Sequence, residues 1–476
     1  MMSIDDCERL TAREVHDLYR RYVSRTQVSL MSSFGFGREL VERAEGPWVY
    51  MRDGSRVLDF SGGVGVLNHG HNHPRILEAR QRFAQARRME VHKAFFSPYV
   101  AALSHNIAQL LPGDLAISYF PNSGAEANEG AVKMAYKYHG GRRGTILRAD
   151  ISFHGKTLGA GSLTGSAENN FRFPGLPGIV VYPYGDVEAV RQAVAAARRP
   201  DGGCDVYAIL VEPFSASSMR YWPESALREL RELCTAEEIL LIFDEIYTGW
   251  GKTGSLFYFT RHEGLVPDIV TYSKSLGGGK ASISGYTARE RVFRTAYDRL
   301  ADVILHSTTY YGFGEETATA VEAVNTVVDE DFPGKAREIE AVLGPGLARI
   351  RKTFPDTVAR VAGAGALHGV FLEGGPKLLD LAARLVPGFA GDPQFRTKLI
   401  TLSVIAHLYR QHRIMTYYSP NAENPLMVAP TLVVDRSELE YFLDALEATL
   451  AVGLRRLLTA FVREKMAGVG GRVAGT

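Results

Sequence analysis

Leu241-Ile242-Phe243-Asp244-Glu245-Ile246 is an apolar run that ends in two acids, and Pro267-Asp268-Ile269-Val270-Thr271-Tyr272-Ser273-Lys274 is a second run that ends in one lysine before the glycines Gly277-Gly278-Gly279. Short, nearly continuous apolar runs are what strands buried on both faces of a parallel sheet require. In open α/β sheets, ligands bind outside the carboxyl ends of the strands. The two runs therefore predict an α/β fold whose chemistry sits where Asp244 and Lys274 stand.

Further runs of the same kind extend the pattern in both directions. They are 116–120, 145–149, 178–182, 206–212, 239–244 and 269–272. Helical stretches over 74–85, 99–111, 125–138 and 223–236 alternate with them. This alternation predicts a mostly parallel sheet covered by helices on both faces. Residues 5–30 read as polar helix. Residues 46–60 alternate apolar and polar positions around Asp53-Gly54, a hairpin signal. After about residue 335, helices at 335–353, 392–411 and 436–464 flank short strands near 358–372 and 426–434, which predicts a smaller α+β domain. The expected organisation is 1–73 as an N-terminal helix and hairpin joining the small domain, 74–334 as the large domain, 335–466 as the small domain, and 467–476 as a Gly-rich disordered tail.

The composition of the 476 residues excludes several classes of function. Hydrophobic residues make up 46%, charged residues 22%, and the formal net charge is +1. That charge gives no single-sign field to attract nucleic acid or an anionic membrane. Arg87-Arg88, Arg142-Arg143 and Arg198-Arg199 read as solvated surface. The apolar runs are far shorter than the about 20 residues of a membrane helix. Cys7, Cys204 and Cys234 show no metal or disulfide spacing. The opening MMSIDDCERL is acidic and lacks an apolar core, unlike a secretory signal. The expectation is a soluble cytoplasmic protein with no metal site.

Four segments carry candidate chemistry. Pro121-Asn122-Ser123-Gly124-Ala125-Glu126-Ala127-Asn128 follows a strand and opens a helix, where free N–H groups and the helix dipole suit a phosphate. Ser123 can add a hydroxyl, or it can simply cap the helix. In Phe153-His154-Gly155-Lys156-Thr157, Phe153 can lie flat on a planar cofactor, with His154 a further candidate contact; an ordinary core Phe is the alternative. Asp244, buried at a strand end, needs a cation, and a protonated pyridine nitrogen would serve. Lys274, desolvated beside that positive ring, would have a lowered pKa and act as a nucleophile. The order phosphate cup, ring stacker, acid and lysine is the set a pyridoxal 5′-phosphate (PLP) site on a doubly wound sheet needs.

On these segments, and above all on LLIFDEIYTGWGKTGSLFYF and PDIVTYSKSLGGG, the chain resembles the class III aminotransferases of PLP fold type I over about residues 46–450. The resemblance implies that Lys274 forms the Schiff base and shuttles the proton while Asp244 pairs with the pyridine nitrogen. It places Ile246 under the ring and Phe153 on its other face, Ser123, Gly124 and Ala125 at the phosphate, and Glu212 behind the site. Thr309 matches a threonine that reaches the neighbouring subunit's phosphate, which implies a homodimer with shared sites.

The departures bear on substrate. Met427 stands where relatives that use glutamate carry a carboxylate-gripping arginine. Ser217 stands at the position of the glutamate that gates it, Val64 where a substrate-facing aromatic is common, and Tyr247 where Gln or Ala is common. Tyr247 is placed to reach the cofactor's 3′-oxygen. Losing a bidentate clamp removes roughly 1.5–3 kcal/mol of charged hydrogen bonding. Either Arg220 or Lys280 replaces it, or both are solvated loop charges. The reading is transamination between an amine or amino acid and a carbonyl acceptor with an atypical pocket. The alternatives are another PLP reaction (epimerase, aminomutase, decarboxylase or lyase) and a non-catalytic relic, which an intact Lys274 and Asp244 oppose.

Overall fold

The computed structural model describes residues 1–165, 173–302, 304–374, 393–420 and 423–470. The chain divides into two compact units, one formed by 1–62, 341–362 and 368–476, the other by 63–340 and 363–367.

The second unit is built on a seven-stranded sheet. Its order is Leu115–Tyr119, Gly285–Arg289, Ile269–Tyr272, Leu240–Asp244, Val206–Val211, Thr145–Ala149 and Ile179–Tyr182. All neighbours pair in parallel except at Gly285–Arg289, which runs antiparallel to both of its partners. Every residue of Val206–Val211, Leu240–Asp244 and Ile269–Tyr272 is buried, which accounts for the unbroken apolar runs. The antiparallel strand was missed, since Gly-Tyr-Thr-Ala-Arg carries no such run.

The helix Gly124–Tyr138 lies across the middle of this sheet. Its small residues Ala127, Ala131 and Ala135 pack against Ile146, Ala208, Leu210, Ile242 and Ile269 in one core. Close approach is built into the sequence: a Cβ on Gly130 would come within 2.4 Å of the Tyr286 ring. The helices Pro74–Gln85 and Glu224–Ala236 match the expected spans closely. Further helices, among them Leu158–Ser162, Val187–Ala196, Glu290–Tyr297 and Gly314–Asp329, were not anticipated.

In the first unit the expected hairpin is Trp48–Met51 and Arg56–Asp59, flanked by Val41–Glu45 and Ile414–Met415. Asp53 Oδ1 accepts from Ser55 N at 2.9 Å and Ser55 Oγ at 2.6 Å, and Gly54 turns at φ +81°. The polar N-terminal helix is three helices, Ile4–Arg9, Ala12–Tyr22 and Arg25–Phe34, capped by Ser3, Thr11 and Ser24. The single helix expected over 436–464 is two, Arg436–Ala451 and Leu454–Gly470, because Gly453 takes φ +87° and ends the first. The second helix covers 467–470 of the expected tail; 471–476 lie outside the described residues. Among the described residues no helix is long and apolar enough to cross a membrane.

Asp268 fixes the start of the lysine-bearing strand. It is fully buried, accepting from Leu241 N at 2.9 Å, from Arg231 at 2.6 Å and from Arg291. Removing one partner from a buried charge cluster leaves the others uncompensated. Asp268→Ala is therefore expected to cost about 3–5 kcal/mol, read as a lowered urea midpoint.

Candidate active site

The candidate residues gather where the parallel strands of the second unit end. Asp244 closes its strand, Glu212 follows the next one, and Lys274 lies just past a third. Phe153 and His154 follow a fourth, and Ser123 opens the helix after Leu115–Tyr119.

Asp244 is 4% exposed. Its Oδ2 accepts from Asn128 Nδ2 at 2.8 Å and lies 2.7 Å from His154 Nδ1, while Oδ1 accepts from Ile246 N at 3.0 Å. Asn128 is itself pinned. Its Oδ1 accepts from Thr271 Oγ1 at 2.8 Å and its Nδ2 also reaches the His154 carbonyl at 2.9 Å. The amide therefore has a single orientation in which it can only donate to Asp244. Asn128 and Thr271, which hold Asp244 in this arrangement, are residues that the sequence reading did not single out. The signal was present: an Asn on the buried face of an otherwise small-residue helix must be satisfied by something.

Glu212 is nearly buried, and its Oε2 accepts from Phe153 N at 2.9 Å. Burial, with Asp244 nearby, pushes its carboxyl well above the usual range, against Phe153 N–H and Lys274. Lys274 keeps part of its side-chain surface exposed. Its ammonium is nonetheless set deep, so desolvation outweighs the pull of Asp244 and Glu212 and brings the amine down to about 7. The residue itself takes φ +50°, an uncommon conformation for a non-glycine side chain and one that clusters at functional sites. The Lys274 Nζ lies 3.5 Å from the centroid of the Tyr247 ring.

Ser123 caps the helix Gly124–Tyr138. Its Oγ accepts from Glu126 N at 3.3 Å and donates to Glu126 Oε2 at 2.9 Å. In this geometry its one proton is used within the cap. The amides of Gly124 and Ala125 are first-turn donors without an intrahelical acceptor. Gly124 must stay bare, since a Cβ there would meet Ile246 Cδ1 at 2.9 Å. The Phe153 ring is 37% exposed.

Thr309 is exposed, between Thr308, whose N donates to Tyr119 OH at 3.0 Å, and Tyr310, whose carbonyl accepts from Asn122 at 3.5 Å. Val64 is 49% exposed at φ +58° between two positive-φ glycines. Ser217 Oγ lies 3.3 Å from Ser215 Oγ. Arg220 and Lys280 present exposed side chains, with their carbonyls held by Tyr184 at 3.1 Å and Arg80 at 3.2 Å. Met427 is buried in the first unit, in register with Gly369 and Tyr417.

The neighbouring acid, Glu245, has a different use. Fully buried, it accepts from Tyr258 N at 2.9 Å, Phe259 N at 2.8 Å and the Thr248 hydroxyl. Burial lifts it to about 7 against those donors, and it braces the Tyr258–Arg261 turn.

A buried acid, a desolvated lysine on the adjacent strand and a helix N-terminus are the fittings of a PLP-dependent enzyme. A family model for aminotransferase class-III matches residues 37–450, and the chain belongs to that PLP-using family. It is 28% identical over 458 residues to aminotransferase PigE of Serratia sp. (strain ATCC 39006), covering 90% of this chain. The chain spans about half the length of that curated relative, 52%. Among solved structures, it resembles the ornithine aminotransferase of Toxoplasma gondii ME49 (TM-score 0.78, 24% identity, 95% of this chain and 99% of that one). It also resembles a transaminase from the marine bacterium Virgibacillus (TM-score 0.80, 19% identity, 93% and 99%). These likenesses establish the fold. An (S)-enantioselective omega-transaminase from Thermomicrobium roseum is 25% identical (TM-score 0.73, 87% and 92%).

Asn128→Asp would set a second carboxylate beside Asp244, and two such groups cannot both ionise freely. The variant is expected to lose roughly 2–3 kcal/mol at pH 8. Burial and the carboxylate beside it would raise the folded-state pKa of the introduced acid, so the loss grows as pH rises and shrinks toward pH 5. Urea midpoints at the two pH values check this.

Proposed function

We propose that the chain is a PLP-dependent aminotransferase that moves an amino group from an amine donor to a keto acid or aldehyde. The observation that carries the reading is the desolvated Lys274 amine facing Asp244 and Glu212 at the ends of adjacent strands. The residues fit the cofactor: the buried carboxylate of Asp244 is preset by donors to take a cationic ring nitrogen, Lys274 supplies the attachment point, and the amides of Gly124 and Ala125 suit a phosphate. Phe153 and Ile246 are the ring's neighbours in this reading, with His154 and Glu212 behind them and Ser123, Tyr247 and Thr309 as further cofactor contacts. When bound, PLP supplies an electron sink for charge developing at the donor's amine carbon.

The protein's own part is placement and proton transfer. Asn128 and His154 hold Asp244 in place so that it favours a positively charged ring nitrogen. Lys274, with its amine near 7, can give up and take back a proton at neutral pH. Glu212, whose carboxyl burial pushes well above the usual range, sits behind the site and accepts from Phe153 N.

Met427 lines up with the arginine that grips a substrate carboxylate in relatives, Ser217 with the glutamate that gates it and Val64 with a substrate-facing aromatic, and none of the three carries a charge. We take the donor to be an amine without an α-carboxylate. With PLP-loaded enzyme and no acceptor, a primary alkylamine is expected to convert bound PLP stoichiometrically to pyridoxamine phosphate. L-glutamate is expected to do so about tenfold or more slowly; Lys274→Ala should do neither, and Arg220→Ala should keep the preference. Turnover with the cofactor unchanged would overturn transamination.

We further propose a cytoplasmic homodimer with shared sites. Three unpaired cysteines favour a reducing compartment. Leu300, Ile304 and Tyr310, near Thr309 in sequence, are exposed apolar side chains, as are Phe95 and Phe96, and Lys93 Nζ ties that second segment to the Thr308 carbonyl; exposed apolar surface favours a partner. Phe96→Asp is expected to shift the sedimentation coefficient to that of a monomer and to lower PLP retention.

A further inference from the structure

Tyr247 occupies a position where the resemblance leads one to expect Gln or Ala, and its ring makes two contacts that neither residue could make. The Lys274 Nζ sits 3.5 Å from the ring centroid, well within the about 6 Å over which an aromatic face attracts an ammonium. Gly65, at φ +87°, lies against the same ring: a Cβ at residue 65 would come within 2.8 Å of Tyr247 Cζ. The backbone of that turn is anchored to the lysine's own segment. Ser275 Oγ shares its proton between Gly65 O and Val66 O, each at 3.1 Å, and accepts from Asn68 N at 3.2 Å. The strained turn Gly63-Val64-Gly65, all at positive φ, therefore rests on Tyr247 and on the residue after Lys274.

Building on the reading of Lys274 as the cofactor lysine, we propose that Tyr247 is a positioning residue whose ring, seated by the bare backbone of Gly65, holds the Lys274 amine and favours its charged form. The charged groups that face this amine are Asp244, at the end of Leu240–Asp244, and Glu212, after Val206–Val211. Both already favour the ammonium and burial opposes it. The ring adds a third favourable contact from the side of the 63–65 turn. It also gives the turn that carries Val64 a physical route to the lysine, because anything that lifts Gly65 loosens the ring.

The test reads the lysine without using catalysis. Competitive acetylation of the full-length chain freed of cofactor, followed by peptide mass spectrometry, gives the titration midpoint of Lys274 directly. Tyr247→Phe keeps the ring and should leave the midpoint in place. Tyr247→Leu keeps apolar bulk without a π face and should lower it by about half to one unit. Gly65→Ala should move it in the same direction by displacing the ring. Should the Leu variant fail to fold, Tyr247→Met carries the same comparison. An unchanged or raised midpoint in the ring-free variants, or an equal shift in Tyr247→Phe, overturns the proposal. Borohydride trapping of PLP on the wild-type chain separates this from the underlying reading. Label on another lysine would sink the assignment of Lys274, whereas label on Lys274 with no effect of Tyr247 sinks only the role given to the ring.

Discussion

A carboxylate buried at the end of a parallel strand is the constraint around which this site is arranged. Asp244 is almost wholly removed from water, so its charge must be met by donors or by a cation. Three donors come from three separate segments: Asn128 from the helix, His154 from a loop and Ile246 from the following backbone. Two of them are fixed in turn, Asn128 by Thr271 and the His154 backbone by Thr164 at 2.9 Å. The geometry of one side chain thus ties together the helix Gly124–Tyr138, the loop that carries Phe153 and the strand that leads to Lys274.

Adjacent acids show how environment separates chemistry from architecture. Asp244 ends its strand and Glu245 follows it directly, and the two side chains serve different partners. Glu245 is satisfied by two backbone amides and a hydroxyl and holds a turn. Asp244 faces Lys274 and Glu212. The same desolvation that lowers the amine raises the Glu212 carboxyl, so burial pushes each group toward its uncharged form.

The parallel core was legible because burial on both faces leaves an unbroken apolar run, and the strand around Phe243 shows it clearly. Gly285–Arg289 was not legible, since its pairing with two parallel strands depends on partners distant in sequence and not on its own composition. The helix break at Gly453 was written in the sequence, but a glycine inside an apolar periodic stretch does not announce whether it will be tolerated. Lys274, Asp244 and Phe153 were found from their positions at strand ends. Asn128 was quoted within the phosphate segment without a role, because its partner Asp244 is 116 residues away. Local pattern cannot reveal a contact of that range. Tyr247 was noticed as a departure, but its contact with Gly65 depends on a turn folded from a distant segment.

The antiparallel strand of the seven-stranded sheet has a consequence for how the molecule comes into being. Ser118 and Thr287 are joined by a 2.8 Å hydrogen bond across 169 residues, so the strand leading into the phosphate helix gains its sheet partner only after residue 289 exists. On a ribosome, the parallel strands from Thr145 to Tyr272 can meet first, while Leu115–Tyr119 waits for its neighbour. Closing so long a loop costs little more free energy than closing one half its length, but contacts of such sequence range slow folding. The strand that leads into the helix Gly124–Tyr138 is accordingly among the last parts of the sheet to be secured, and a nascent chain halted before Gly285 would lack its pairing.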